Sequence, residues 1–214
     1  MAEQKRLIKL AAHIHATGHH VAAWLHPRSQ IDAGRNAKHY LSMAQTAERG
    51  KFDLMFLADS PGIREGNLNA LRRWPQYNTY FEPLTIFSAM AAVTEHIGFV
   101  ATASTTFMEP YNLARFFASL DHISNGRAGW NVVTTANSDA AANFGKEEFM
   151  SHAERYERAH EYVDVVKGLW DSWDDDAFPR DRRANLAECD VSRLPPLAFW
   201  RRTSSRRSFP ASCQ

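Results

Sequence analysis

A chain of 214 residues with 44% hydrophobic, 12% aromatic and 23% charged positions has the make-up of a folded globular protein, which excludes collagen-like, low-complexity and wholly disordered classes. No apolar run approaches the roughly 18–20 residues of a membrane span, Met1 to Lys9 lacks the apolar core of a secretory signal, and two cysteines cannot build a disulfide framework, so a reducing cytoplasm is expected. The net charge of +1 hides an asymmetry: residues 1–181 hold 18 lysines and arginines against 22 acids, whereas residues 182–214 hold seven arginines, two acids and both cysteines.

Leu7 to Ile14 reads as a strand apolar on both faces. After a polar loop with His19, His20, Trp24 and His26, Asn36 is placed to cap a helix over Ala37–Arg49, with Gly50 as its glycine stop. Phe52 to Ala58 is the second strand, and a long loop runs from Asp59 to Phe81. Pro83 opens a helix to about Glu95, and Gly98 to Ala103 is the third strand. Pro110 opens another helix, with Leu113, Phe116, Phe117 and Leu120 on one stripe, ending near Asn125-Gly126. Ala128 to Thr134 is the fourth strand. A loop, Thr135 to Glu148, leads to a long helix from about Ser151 to Trp173, whose predicted buried face is Tyr156, Ala159, Tyr162, Val163, Val166 and Leu169.

Strict alternation of strand and helix predicts parallel βαβ units with right-handed crossovers. A doubly wound sheet and part of a (β/α)₈ barrel both satisfy it. The first βα loop has no G-x-G-x-x-G, which weakens the dinucleotide-binding version. A whole barrel takes about 250 residues, so four units reaching about residue 173 leave no room for eight. The expected organisation is a unit over 1–181 and an irregular basic tail over 182–214, disordered or out of frame with what precedes it. The tail's arginines, with Trp200 and Phe209, also suit a nucleic-acid arm, but no folded nucleic-acid module precedes them.

Sites in parallel α/β folds lie beyond the C-terminal ends of the strands. Those ends carry His13 and His15, then Asp59, then Thr102, Ser104 and Thr105, then Asn131, Thr134 and Thr135. The last helix begins at His152, with Tyr156 one turn on. Each alone reads equally well as a loop cap, a satisfied strand end or a core residue. Polar residues at the same end of three successive strands read together as a site. His13 and His15, at i and i+2 of a strand, point the same way and can share a metal. That H-x-H resembles the amidohydrolases, but the fourth strand offers neither the Lys nor the His such a hydrolase needs. His19, His20 and Asp174 to Asp176 read as loop and surface features.

The segments KFDLMFLAD, FEPLTIFSAMAAVTEHIGFVATASTTF, EPYNLARFFASLDHISNGRAGWNVVTT, NFG and HAERYERAHEYVDVVKGLWDSWDDDAF follow one another in order. Together, over about residues 5–178, they resemble the nitrilotriacetate and dibenzothiophene-sulfone monooxygenase family of bacterial-luciferase-like flavin enzymes. The resemblance implies a (β/α)₈ TIM barrel of which about the first four units are present. It implies reduced FMN as cofactor, supplied by an NAD(P)H-dependent flavin reductase, and O₂ as the oxidant of a small organosulfur or aminopolycarboxylate substrate. It implies cofactor contacts from Asp59, Thr102, Asn131, His152 and Tyr156. His152 is the expected catalytic proton donor, no metal is expected, and Trp24, Phe56, Phe107 and Trp130 are the expected apolar walls. From Arg182 the resemblance is expected to end, and an open half barrel leaves room for a homo-oligomer. No nucleic-acid or membrane partner is expected. A metal-dependent hydrolase on His13 and His15, or an inactive remnant, is the competing expectation.

Overall fold

The computed structural model describes residues 8–63, 66–74 and 78–172. Within them lie four strands, β1 (Ala11–His13), β2 (Leu54–Leu57), β3 (Gly98–Ser104) and β4 (Ala128–Val133), and the helices α1 (Ala37–Arg49), α2 (Leu68–Leu71), α3 (Pro83–Ala91), α4 (Pro110–Ser124) and α5 (His152–Trp170). The strands pair in parallel in the order β1-β2-β3-β4. Spatial order equals chain order, so every crossover steps to the next neighbour. That is the winding of a barrel; a doubly wound sheet reverses at a switch point. The basic tail and Asp174 to Asp176 lie outside the described residues.

Local chemistry explains where the helices start. The Asn36 side chain accepts the His39 N–H at 3.1 Å to open α1. The Glu82 carboxylate accepts the N–H groups of Leu84 (2.9 Å) and Thr85 (2.6 Å) to open α3, with Pro83 in the first turn. Ser151 and Glu154 form a reciprocal capping box on α5. Asn125, left-handed at φ 58°, stops α4. The stop of α1 differs from expectation. Gly50 has φ −73°, and Lys51 takes the left-handed conformation at φ 61°. An added Cβ on Gly50 would stand 3.3 Å from the Thr46 carbonyl oxygen, a tight contact that a shift of a few tenths of an ångström would relieve.

The helices bury one face of the sheet. Met55, Leu57, Phe99, Ala101 and Ala103 alternate inward along the strands and meet Tyr40, Phe87, Leu113, Phe117, Tyr162 and Val166 in one core. Alternate residues on the other face, Leu54, Phe56 and Val100, are only half-buried. Arg127 ties the N-terminal end of this assembly together. Its guanidinium donates to the carbonyls of Ala91, Thr94, Ile97 and Ser124 and to the Thr94 hydroxyl.

Three expectations about burial fail for identifiable reasons. The first strand is three residues long, not eight, and none of its residues is buried. Among the described residues it lies at the edge of the sheet and pairs with β2 alone, so no second described strand covers the apolar run. Phe116 on α4 is 47% exposed and Tyr156 on α5 is 49% exposed. On α5, Arg155 is buried where the apolar stripe predicted Tyr156. Its guanidinium donates to the carbonyls of Thr134 and Thr135 and lies 4.5 Å from the centre of the Phe149 ring. Such bonds make an arginine tolerable in the interior and roll the helix so that Tyr156 faces outward. Among the described residues no helix is long and apolar enough to cross a membrane.

Candidate active site

The loops that follow β2 and β4 pack on each other above the end of β3. The Asn137 side chain donates to the Gly62 carbonyl at 2.9 Å and lies 3.4 Å from the Ser60 hydroxyl. A Cβ on Gly62 would meet the Ala140 backbone at 2.8 Å, so only glycine allows this approach. Thr135, at the root of the second loop, has φ 55°. That is an uncommon conformation for a β-branched residue. Its hydroxyl bond to Ser104 (2.6 Å) and the Arg155 guanidinium on its carbonyl hold it there.

Asp59 sits at the centre of this arrangement and lines three clefts. The first, about 340 Å³, also takes in His13, His15, Tyr40, Ser60 and Tyr80. The second, open and about 1010 Å³, takes in Val132 to Asp139, Tyr156 and His160. The third is a gap of about 40 Å³ that reaches Thr102, Ser104, Phe107 and Phe144. Burial pushes the Asp59 carboxyl above the usual carboxylate range. The nearby Glu82 adds to the rise, and the Ser60 N–H and Tyr80 hydroxyl oppose it.

Of the other predicted residues, Thr102 and Tyr156 each share a cleft with Asp59, Asn131 joins through Thr102, and His152 stands apart. Thr102 and Asn131 are register partners on β3 and β4. The Asn131 amide donates to the Thr102 hydroxyl at 2.9 Å. Thr102 is 4% exposed, and Asn131 is half-buried. Because the Thr102 oxygen accepts that bond, its own proton is directed elsewhere. His152 and Tyr156 stand side by side with ring centres 4.5 Å apart. Tyr156 shares the large cleft with Asp59, whereas His152 is exposed and lines none of the three.

The expected aromatic walls are mostly elsewhere. Trp130 donates its indole N–H to the Ala103 carbonyl at 3.1 Å and packs among Phe117, Tyr162 and Trp170 on the helix side of the sheet. Trp24 donates to the Arg73 carbonyl. Phe107 alone of the four lines one of the clefts, stacked on Phe144 at 4.5 Å. Missed at the sequence level were Ser60, Asn137 and His19. The first two reach the site only because the two loops meet. His19 gathers with His13 and His15, their ligand nitrogens all within 4.8 Å of one another. The signal for it was Gly18, whose φ of 94° turns the chain back over β1.

The sequence pattern of the luciferase-like monooxygenase family matches residues 15–196. The match runs fifteen residues past the composition break at Asp181. N-acetyl-S-(2-succino)cysteine monooxygenase of Bacillus subtilis (strain 168) is 52% identical over 85% of this chain and 40% of its own length. Nitrilotriacetate monooxygenase component A of Aminobacter aminovorans is 47% identical over 78% of this chain and 38% of its own length. A riboflavin lyase crystallised with modified FMN and riboflavin superposes with a TM-score of 0.79 at 30% identity, over 89% of this chain and 43% of that one. The chain thus spans about 40% of the length of the curated relatives it matches. With a parallel sheet wound as a barrel, a polar cluster at its C-terminal end and this extent of identity, the chain belongs to the luciferase-like monooxygenase family.

Proposed function

We propose that this chain carries the N-terminal part of the flavin site of a two-component monooxygenase. It uses reduced FMN, delivered by a separate NAD(P)H-dependent flavin reductase, and O₂ to oxygenate a small organosulfur or aminopolycarboxylate compound in the cytoplasm. The observation that carries the reading is the position of Asp59, shared by the three clefts described and flanked by the Thr102–Asn131 pair and by Tyr156. The names of the relatives support the reaction class, and the riboflavin lyase supports the flavin.

The residues fit such a cofactor in part. An isoalloxazine ring needs donors and acceptors along its pyrimidine edge, and the Thr102 hydroxyl, the Asn131 carbonyl oxygen and the Asp59 carboxyl provide both. The gap of about 40 Å³ between Asp59 and Thr102 cannot admit a tricyclic ring. The open cleft of about 1010 Å³ beside Asp59 and Tyr156 can. No arginine or lysine lines that cleft, and Asp59, Asp139 and Asp164 do. Within that cleft the phosphate has no arginine or lysine partner, and Arg35 lines the adjoining smaller cleft.

Reduced flavin, when bound, activates O₂ for transfer of one oxygen atom to the substrate. The protein's share is placement and proton supply. Asp59 would meet the ring in the large cleft, with Thr102 and Asn131, one hydrogen-bonded unit, behind it in the adjoining gap. Tyr156 offers a flat apolar surface with a hydroxyl at its rim. His152, held against Tyr156, supplies a proton at an imidazole nitrogen.

The test is turnover by the purified chain with FMN, NADH, a flavin reductase and air, offered N-acetyl-S-(2-succino)cysteine and nitrilotriacetate separately. Because the chain spans about 40% of its relatives' length, weak retention of reduced FMN is the expected result, reduced further by Asp59→Ala, and oxygenated product would support the reaction class. Failure to retain reduced flavin in an anaerobic titration would refute the reading. A metal-dependent hydrolase is disfavoured by family membership and by the donor set: the histidine cluster recruits no carboxylate or lysine from later strands among the described residues.

A further inference from the structure

His13 ends β1, His15 lies two residues on, and His19 returns over both. The turn between them is closed by the Gly18 N–H on the His15 carbonyl at 2.8 Å. A Cβ on Gly18 would stand 2.8 Å from the Ala23 Cβ, so the turn admits only glycine. Ring centres are 4.7 Å apart for His13 and His15, 5.1 Å for His13 and His19, and 4.2 Å for His15 and His19. Three imidazoles this close, with no carboxylate among them, are a mutually repelling set unless they stay neutral or share a cation.

We infer that His13, His15 and His19 bind one divalent transition-metal ion of the zinc type, at the rim of the cleft that Asp59 also lines. Two features support the assignment. First, the donors suit it: imidazole nitrogen is a preferred ligand of zinc, copper and nickel, and three such ligands leave a coordination position open. His13 and His15 both line the cleft of about 340 Å³, so the open position faces a space that holds water or an oxygen ligand.

Second, the tautomer of one ligand is already set. His19 Nε2 lies 3.2 Å from the His13 carbonyl oxygen. A carbonyl only accepts, so Nε2 carries the proton and Nδ1 presents its lone pair. A ligand histidine that donates its other N–H to a backbone carbonyl is the usual outer-sphere arrangement.

The ligand nitrogens lie within 4.8 Å of one another. Tetrahedral coordination at about 2.0–2.1 Å needs them about 3.3 Å apart. His13 and His19 are exposed and have room to close that difference by side-chain rotation. The site goes beyond the flavin reading and does not rest on it. Its closure pins the loop after β1 to the end of its own strand.

The experiment is zinc titration of the untagged full chain by calorimetry, without flavin, with Co²⁺ substitution as a spectroscopic check. One equivalent of Zn²⁺ should bind. His13→Ala, His15→Ala and His19→Ala should each weaken it by more than about 100-fold, since loss of an outer partner alone costs roughly 10- to 100-fold. His26→Ala, outside the cluster, should leave it unchanged. The cobalt form should lack a thiolate charge-transfer band, separating this site from Cys189 and Cys213. Binding that survives His19→Ala in a folded variant, a thiolate band, or no binding at all overturns the assignment. Retained circular dichroism in each variant separates lost ligands from a lost fold.

Discussion

Replacing Thr102 by valine tests whether the pair at the end of β3 and β4 serves a ligand or only the fold. Valine keeps the shape and removes the oxygen that accepts the Asn131 amide at 2.9 Å. Thr102 is 4% exposed, so water cannot take the hydroxyl's place, but Asn131 is half-buried and its amide can turn partly to solvent. The stability loss therefore falls at the low end of the range for an orphaned amide, about 1 kcal/mol. A double-mutant cycle with Asn131→Ala should return a coupling of similar size, about 1 kcal/mol. The ligand effect is separate. The Thr102 proton is free to donate, and its loss should weaken reduced-flavin binding by roughly tenfold, equivalent to about 1.4 kcal/mol. Thr102→Ser should restore most of that affinity. Urea denaturation and anaerobic fluorescence titration read the two effects independently. Lower stability with unchanged flavin affinity would refute the site and leave the pair a structural hydrogen bond.

Three further outcomes follow from the same geometry. Burial lifts the Asp59 carboxyl above its unfolded value, so the folded chain holds a proton that the unfolded chain has released, and stability falls as pH rises through that interval. Asp59→Asn should match the parent in acid and exceed it in urea midpoint at neutral pH while binding flavin less well; equal midpoints at neutral pH would contradict the burial argument. Arg127→Ala removes donors to four carbonyls and a hydroxyl and should cost about 3 kcal/mol. Lysine, a point charge that cannot span them, should recover less than half, and a loss below about 1 kcal/mol would show the clamp to be dispensable. Because no arginine or lysine lines the large cleft, riboflavin and FMN should bind this chain with similar affinity, and a preference for FMN beyond about tenfold would show that a cation outside that lining reaches the phosphate.

How far the fold was legible depends on how local its signals are. Asn36, Pro83, Pro110 and Ser151 each announce a helix start through a bond or ring within three residues, and each helix begins there. Burial was less legible, because it depends on neighbours that sequence does not supply. Leu7 to Ile14 has the composition of a central strand and yields an edge strand of three residues. Tyr156 has an apolar body at a helical spacing, yet Arg155 takes the interior, because the Thr134 and Thr135 carbonyls are there to receive it.

The same distinction explains the site. That Asp59, Thr102 and Asn131 gather at one end of the sheet was readable because strand ends in a parallel sheet converge by construction, so position along the chain was enough. Ser60 and Asn137 were not, since 77 residues separate them and only the contact between two loops joins them. His19 is the instructive case. In a loop beside His20 it has no periodicity to betray it, and composition reads it as surface. One left-handed glycine brings it back onto β1. The general lesson is physical: a glycine that must turn the chain, set between polar residues capable of ligation, makes neighbours of residues that strand and helix periods keep apart.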